Sequence, residues 1–458
     1  MASYSLDDTI AAISTPLGVG GIGIVRLSGP GALDIAQALY RDARGRPRQR
    51  WEPNRLYYGH AIDPRNGRAV DEVLVSFMQA PHSFTRQDVV EFDGHGGPVP
   101  LQEVLRLCLA QGARLAHEGE FTLRAFVNGR IDLAQAEAVL DVIQSKSAAA
   151  LGVAVNQLNG RLSVQVRALR GALLHVLAYL EASIDFSEDD IPPRDVQPDL
   201  LAARDTLQRL ISEADSGQVY RQGVRVAIVG RPNVGKSSLL NALLRTDRAI
   251  VTPIPGTTRD TLEETLLLQG VPFVLVDTAG INDADDVIER LGVERSRRSL
   301  NSADLVLMVV DGSTPSLPED RDVATMVGKR PALLVINKAD LSQVDTFAGL
   351  LPGVRTVHVS AKTGVGMVEL EAAMVEAVLG GGLQASAEPL TANPRHRAVF
   401  ERALMHVAAA VDAAAHGQYG DLVAIDVRES IDALGEITGE TATDDLLQTI
   451  FGQFCVGK

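Results

Sequence analysis

The stretch "GRPNVGKSS" (Gly230–Ser238) decides the central fold of this chain. It fits G-x-x-x-x-G-K-[ST], follows the apolar run "VRVAIV" and opens the helical run "SLLNALL". It therefore reads as a phosphate loop between a strand and a helix. Triphosphates need dense positive potential with no bulky side chains in the way. Glycines let backbone N–H groups converge, the helix N-terminus adds its dipole, and Lys236 reaches the outer phosphates. Asn233, Val234, Gly235, Ser237 and Ser238 complete the predicted cradle, with the Ser237 hydroxyl offered to Mg2+.

Further along, "NKAD" (Asn337, Lys338, Ala339, Asp340) follows the apolar run "LLVI", at the strand edge where such sheets bind ligands. The Asp340 carboxylate can accept from guanine's ring N–H and exocyclic amine together. Adenine offers no such pair and would leave the carboxylate unpaired, at a cost of ~1–3 kcal/mol or more. "DTAG" (Asp277, Thr278, Ala279, Gly280) lies between the two motifs and "SAK" (Ser360, Ala361, Lys362) follows. Together they specify a GTP-binding domain. Many small GTPases place a water-orienting glutamine after "DTAG"; here that position is Ile281, which cannot serve. No arginine finger is evident, and Arg259 in "GTTRD" reads as structural, so the catalytic polar group must come from elsewhere.

Outward from this core, residues 220 to 380 alternate buried-strand runs ("PFVLVD", "ADLVLMVVD", "PALLVINK") with helical stretches, the rhythm of a mostly parallel sheet. On its N-terminal side, residues 121 to 191 are free of proline. Within them Leu162, Val166, Leu169, Leu173, Val176 and Leu180 draw one helical stripe. A second helix is predicted over Leu200 to Ala214. Earlier still, "GGIGIVRLSG", "AVDEVLVSFM" and "DVVEFDGHGG" read as strands and "PVPLQEVLRLCLAQG" as a helix. After "GGGL" the texture is helical to the end. The expected architecture is multidomain. An α+β N-terminal domain spans 1–120, and an all-α helical domain occupies 121–218 and 382–458. An α/β P-loop G domain is inserted at 219–381.

A length of 458 residues is long for one core, and the 46% hydrophobic and 22% charged shares are those of a soluble globular protein. No signal or membrane span is read, and two cysteines, Cys108 and Cys455, outline neither a disulfide framework nor a zinc site, so a reducing cytoplasm is expected. The formal net charge of -15 repels nucleic acid, leaving any RNA contact to a local basic patch or a basic partner. "RDARGRPRQR" (Arg41–Arg50) and "RSRRS" (Arg295–Ser299) are both read as solvated surface. His95 in "GHGG" is read as a turn residue.

With these motifs in place, the whole chain resembles the tRNA-modifying GTPases of the MnmE/TrmE type. "DTIAAISTPLGVGGIGIVRLSG", "SFTRQDVVEFDGHGG" and "GEFTLRAFVNGRIDLAQAEAV" look like that family's opening signatures. "AIVTPIPGTTRD" resembles its switch loop, and the terminal "FCVGK" its Cys-x-Gly-Lys ending. The resemblance implies a homodimer working with a flavin-dependent partner of the MnmG/GidA type, as a heterotetramer in which FAD belongs to the partner. Together they would place an aminomethyl or carboxymethylaminomethyl group on the wobble uridine of certain tRNAs. The one-carbon unit would come from 5,10-methylene- or 5-formyl-tetrahydrofolate. The implied folate residues are Arg26, Glu91, Arg130 and Lys458, with arginine at position 130 where the family pattern has lysine. Nucleotide contacts would extend over Thr252, Pro253, Ile254, Pro255, Gly256, Thr257 and Thr258. Potassium would be held by Asn233, Thr252, Ile254 and Thr257, Mg2+ by Ser237 and Thr258, and the water oriented by Glu289.

The alternative is a regulatory GTPase that binds ribosomal RNA during assembly. It predicts a separate basic RNA-binding module, and the acidic-to-apolar tail "DDLLQTIFGQFCVGK" is not one. Cys455 has two readings: a small buried hydrophobe between the anchors Phe454 and Val456, or part of a site element folded back on the N-terminal domain.

Overall fold

The computed structural model describes residues 6–145, 147–185, 192–244, 264–276, 300, 303–344, 347–379, 389–391, 393–416 and 420–458. The chain divides into two compact units, each built from separated segments. Met1–Leu140, Leu158–Arg170 and Ile431–Lys458 form the first, and Asp141–Gln157 with Gly171–Ser430 the second.

The first unit opens with β1 (Ile10–Ile13), β2 (Gly20–Ser28), α1 (Ala32–Leu39), β3 (Tyr40–Asp42) and β4 (Leu56–Ile62). There follow β5 (Ala69–Met78), β6 (Val89–Gly96), α2 (Pro98–Ala110) and β7 (Arg114–Leu115). The strands form one sheet in the order β3-β4-β5-β6-β2-β1-β7. All neighbours are antiparallel except β1 and β7. Side chains alternate across a strand. Val25, Leu27, Val75, Phe77, Val90 and Phe92 are accordingly buried with Ile35 and Leu39 of α1 and Leu101, Val104 and Leu107 of α2. The intervening positions project from the other face, where Arg26 stands opposite Glu91 and Ile24 opposite Asp93. One face of the sheet is thus a hydrophobic platform, and the other carries these polar positions beside a small apolar cluster of Ile10, Ala12, Ala116 and Phe121.

Helices α3 (Glu120–Val127), α4 (Leu133–Gln144), α5 (Ala148–Leu158) and α6 (Arg161–Asp185) occupy the proline-free run. In α6 all six stripe residues, Leu162 to Leu180, are buried, as the spacing of three and four requires. The second unit then continues with α7 (Gln197–Gln222), β8 (Val224–Val229), α8 (Lys236–Leu244), β9 (Glu264–Leu268), β10 (Val271–Val276) and β11 (Leu305–Asp311). After these come α9 (Pro318–Val327), β12 (Ala332–Asn337), β13 (Thr356–His358), α10 (Met367–Leu379), α11 (Pro394–Ala415) and α12 (Gly420–Thr438). The short α13 (Asp444–Phe451) belongs to the first unit.

The second sheet has the order β13-β12-β11-β8-β10-β9. It is parallel throughout except for the β9–β10 hairpin. Its strands are buried on both faces: Val226, Leu307, Val309, Leu333 and Val335 pack with α8 and α10, while Ala227, Val306, Met308, Val310 and Leu334 pack with α9. Near-continuous apolar runs such as "LVLMVV" result. The α/β, α+β and helical classes expected from the sequence are all present. Among the described residues no helix is long and apolar enough to cross a membrane.

Candidate functional site

Two sites are assembled, one in each unit. In the second unit the phosphate loop leaves β8 and enters α8. Asn233 and Gly235 both take positive φ, +63° and +97°. At Gly235 a side chain has no room, since a Cβ would lie 2.3 Å from Asn337 Nδ2. Lys236 folds back over its own loop, its Nζ donating to the Gly230 and Arg231 carbonyls at 2.9 and 2.8 Å. Burial, and secondarily the Arg231 charge, hold this ammonium below its ordinary pKa, so an incoming phosphate meets a cation poorly compensated by its surroundings. Val234 is buried, Ser237 half-buried, and Asn233 and Ser238 exposed.

The guanine motif sits at the end of β12. The Asn337 side chain is buried and double-ended: Nδ2 donates to the Val234 carbonyl at 2.8 Å, and Oδ1 accepts from the Ala361 N–H at 3.1 Å. One residue thereby ties the phosphate loop to "SAK". Ser360 Oγ donates to Asp340 Oδ1 at 2.6 Å, and this hydroxyl is the main cause holding the Asp340 carboxyl below its ordinary value. Ala339 N–H donates to the Val359 carbonyl at 2.9 Å, while Lys362 is exposed beside them. The sheet therefore brings Asn233–Ser238, Asn337–Asp340 and Ser360–Lys362 together at the C-terminal ends of its strands, the edge where parallel sheets bind ligands. Thr252–Thr258, Asp277–Gly280, Glu289 and the "RSRRS" run lie outside the described residues.

Sequence reasoning missed two members of this site. Asp311, the last residue of β11, accepts from Lys338 Nζ at 2.6 Å and from the Ser313 hydroxyl at 2.6 Å. Arg231 Nη2 donates to Thr314 Oγ1 at 2.8 Å, with its Nε 3.3 Å from Asp320 Oδ1. The segment after β11 thus braces both the guanine motif and the phosphate loop. The only signal was a lone aspartate closing "ADLVLMVVD".

In the first unit a second constellation gathers on the polar face of the sheet. Arg26 Nε donates to Glu91 Oε1 at 2.6 Å, and its guanidinium lies 5.8 Å from the Phe121 ring centroid. Arg130 lies 4.7 Å from the Phe84 ring and donates from Nη1 to the Phe84 carbonyl at 3.0 Å. Burial, with the Arg86 charge, lowers the pKa of this guanidinium. Phe84 packs against the cluster that contains Phe121. The Phe121 N–H in turn donates to the Lys458 carbonyl at 3.1 Å. Arg26 and Arg130 thus lie against the rings of Phe121 and Phe84, with Glu91 paired to Arg26 and the Lys458 backbone bonded to Phe121. Asp93, near Arg26 and Glu91 in the register, has a buried Oδ1 with no hydrogen-bond partner among the described residues. Its pKa is raised by burial and by the Glu91 charge. Acceptors, guanidinium groups and one orphaned buried carboxylate oxygen suit a ligand with a guanidine-like edge and an anionic tail.

The tail packs against this constellation. Val456 bridges Glu118, and Ser14 Oγ donates to the Gly457 carbonyl at 3.1 Å. Phe454 is buried, as expected of an anchor, but Cys455 is exposed and Val456 43% exposed. The reading of Cys455 as a buried hydrophobe is therefore corrected: past the Phe454 anchor the chain turns, the Lys458 N–H donating to the Cys455 carbonyl at 3.3 Å, and Cys455 and Val456 both face outward. Cys108 is the buried thiol, pushed up to about 12 by its burial. His95 also departs from expectation. It lies within β6, where its N–H and Nδ1 reach the two Asp71 carboxylate oxygens at 2.8 and 2.7 Å, and that partner raises its pKa.

A family model described as the MnmE helical domain matches residues 133–455, and one described as the GTP-binding protein TrmE N-terminus matches residues 9–130. The chain is 52% identical over 458 residues to the tRNA modification GTPase MnmE of Chloroflexus aurantiacus, across 99% of this chain and 100% of that protein. Proteins of the same name from Roseiflexus castenholzii and Heliobacterium modesticaldum are 49% and 47% identical, over 99% and 98% of this chain and 99% of each relative.

Proposed function

The chain belongs to the MnmE family of tRNA modification GTPases, and from that premise we propose how it acts. It is a GTPase working in tRNA modification. Its reaction cycle drives the addition of an aminomethyl or carboxymethylaminomethyl group to the 5-position of the wobble uridine. It does so as a cytoplasmic homodimer, with a flavin-dependent partner of the MnmG/GidA type.

Each residue has a distinct task. Asp340, oriented by Ser360, accepts from the two guanine N–H edges, and Asn337 keeps the phosphate loop in register with the base site. Lys236 exchanges its two loop carbonyls for phosphate oxygens. Ser237 and Thr258 would hold Mg2+, and Asn233, Thr252, Ile254 and Thr257 would hold K+. These ions, when bound, would supply positive charge against the transferred phosphoryl group. Glu289 would orient the attacking water.

In the first unit Glu91 accepts from a pteridine's guanidine-like edge, while Arg26 holds that carboxylate in place. Arg130 and Lys458 provide cations for a glutamate tail. A tetrahydrofolate bound there would supply the one-carbon unit. The observation that supports this reading best is the docking of "FCVGK" beneath Arg26, through the bond from Phe121 to Lys458.

Mass spectrometry of tRNA nucleosides from cells with and without the gene tests the proposal. Loss of the wobble-uridine aminomethyl-type nucleosides is expected. An unchanged nucleoside profile would overturn the assigned modification.

A further inference from the structure

We propose that the arginine-lined edge of the seven-stranded sheet binds the phosphate backbone of folded RNA. The inference rests on the family's action on tRNA and is independent of the folate assignment. Between Arg41 and Arg68 the sequence holds eight arginines, three acids and no lysine, in a chain whose formal net charge is -15. The molecule as a whole repels RNA; this segment attracts it.

The structure keeps "RDARGRPRQR" largely exposed, as expected, and adds that its backbone is held in place. Strand β3 is the sheet's edge, and the loop that follows it is pinned by aromatic rings. Trp51 is buried edge-on between Tyr40 and Tyr57, with ring centroids 5.2 and 4.9 Å away, and its Nε1 donates to the Arg48 carbonyl at 3.2 Å. The Arg48 guanidinium stacks 3.9 Å above the Tyr57 ring and donates to the Arg50 carbonyl at 2.9 Å. Asp42 Oδ1 accepts from the Arg44 and Arg46 N–H groups, both at 2.9 Å, which closes the turn. The backbone beneath these arginines is ordered before any ligand arrives, so little ordering entropy is left to lose on binding.

Their charges are unequally committed. Arg46 pairs with Asp42, Arg55 with Glu52 and Arg65 with Asp63. Arg44, Arg50 and Arg68 are exposed, and their guanidinium groups have no partner among the described residues. A guanidinium fork matches a phosphate bidentately, which a lysine does not, and the use of arginine alone therefore favours phosphate over a diffuse anion. Tyr58, 52% exposed on the adjoining strand β4, offers a ring on which a base can stack. Unpaired guanidinium groups at this edge, with an exposed ring on the adjoining strand, fit RNA better than an acidic protein.

The test is a salt titration of bulk tRNA binding by the full chain. Three triple variants accompany the wild type: R44Q/R50Q/R68Q, the charge-preserving R44K/R50K/R68K, and R204Q/R209Q/R428Q, whose exposed arginines lie on helices of the second unit. Each phosphate contact contributes roughly 0.7–0.9 to the slope of log K against log salt. The glutamine triple is expected to flatten that slope by about 2 and to weaken binding ~10-fold or more at low salt. The lysine triple should retain most of the slope, and the helix triple should match the wild type. GTP binding and the thermal melt followed by far-UV circular dichroism should be equal in all, which establishes folding of both units. An unchanged slope in the glutamine triple, an equal loss in the helix triple, or the absence of salt-dependent tRNA binding by the wild type would each overturn the proposal. So would patch-dependent capture by phosphatidylglycerol vesicles accompanied by patch-independent tRNA binding.

Discussion

Asp340 shows how much specificity one oriented carboxylate can carry. Its Oδ1 is engaged by Ser360, and the exposed remainder of the group faces the place where a base would lie. Guanine presents two N–H donors to it, and each hydrogen bond to a charged group is worth about 1.5–3 kcal/mol. An amide in place of this carboxylate would still accept one of them but would set its NH2 against the other. Asp340→Asn should therefore weaken GDP about 100-fold, by the same arithmetic. It should also gain xanthosine diphosphate, which carries a carbonyl where guanine has its amine. Competition between the two nucleotides for the purified variant checks this, and retained guanine preference would contradict it. Asn337, Lys338 and Asp340 were legible in sequence because their chemistry is local to one motif. Asp311 was not, because its importance arises only when β11 and β12 pair and set it opposite Lys338's neighbour, Asn337. The buried reading of Cys455 failed for a related reason: nothing in "FCVGK" says that the chain turns after Phe454 and leaves Cys455 outside the core.

Among elements, the terminal strand-like tail is the most constrained for its size. Gly457 takes φ of +94°, and a Cβ there would lie 2.4 Å from the Ile13 carbonyl oxygen. Gly457→Ala combines an unfavourable backbone conformation, about 1–2 kcal/mol, with that clash. The tail should lift from β1 and α3. The Phe121 amide, whose acceptor is the Lys458 carbonyl, should then exchange its hydrogen ~10-fold faster or more, while guanine nucleotide affinity stays constant. Unaltered exchange at Phe121 would mean that the tail tolerates the substitution in place. The longer elements could be read from periodicity: α2, α6, β5, β6, β8, β11 and β12 all carry unbroken patterns. The short pieces could not. Strands β3, β7 and β13 span three, two and three residues, too few for any period to register, and exist because a neighbour recruits them.

At the scale of the whole molecule, the first unit is held by charge as well as by apolar burial. Arg124 is fully buried and donates to the Asp8 carboxylate and carbonyl, to Gln87 and to Glu120. Arg114 pairs with both Asp8 and Glu120. Burial alone would raise the Glu120 pKa, but Arg114, the His117 N–H and Arg124 outweigh it and hold the carboxyl below its ordinary value. A carboxyl depressed on folding contributes stability that is complete above the unfolded value, about 4.3, and is lost as pH falls through the folded value. The melting temperature should therefore drop on acidification below ~4.3. Glu120→Gln should lower stability by roughly 3 kcal/mol at neutral pH, by leaving buried arginine charge undercompensated. It should also soften the acid dependence, because one titration is gone. Calorimetry across pH decides the matter; equal acid slopes in the two proteins would remove Glu120 from the account. None of this network was visible in "GEFTLRAFV", which reads as an ordinary amphipathic helix until β1 and the loop at Gln87 close around it.

The first unit takes its opening segment from residues 1–140 and its closing one from residues 431–458. A ribosome emitting about 5–20 residues per second needs roughly 15–60 seconds to travel from one to the other. Throughout that interval Phe121 waits without its distant acceptor, while the segments that form the second unit are emitted. A nascent chain cut short just downstream of "SAK" would carry every described residue of the proposed nucleotide site and still lack the segment whose Lys458 carbonyl accepts from Phe121. Order of synthesis thus makes the last-made segment the one on which closure of the first-made unit waits.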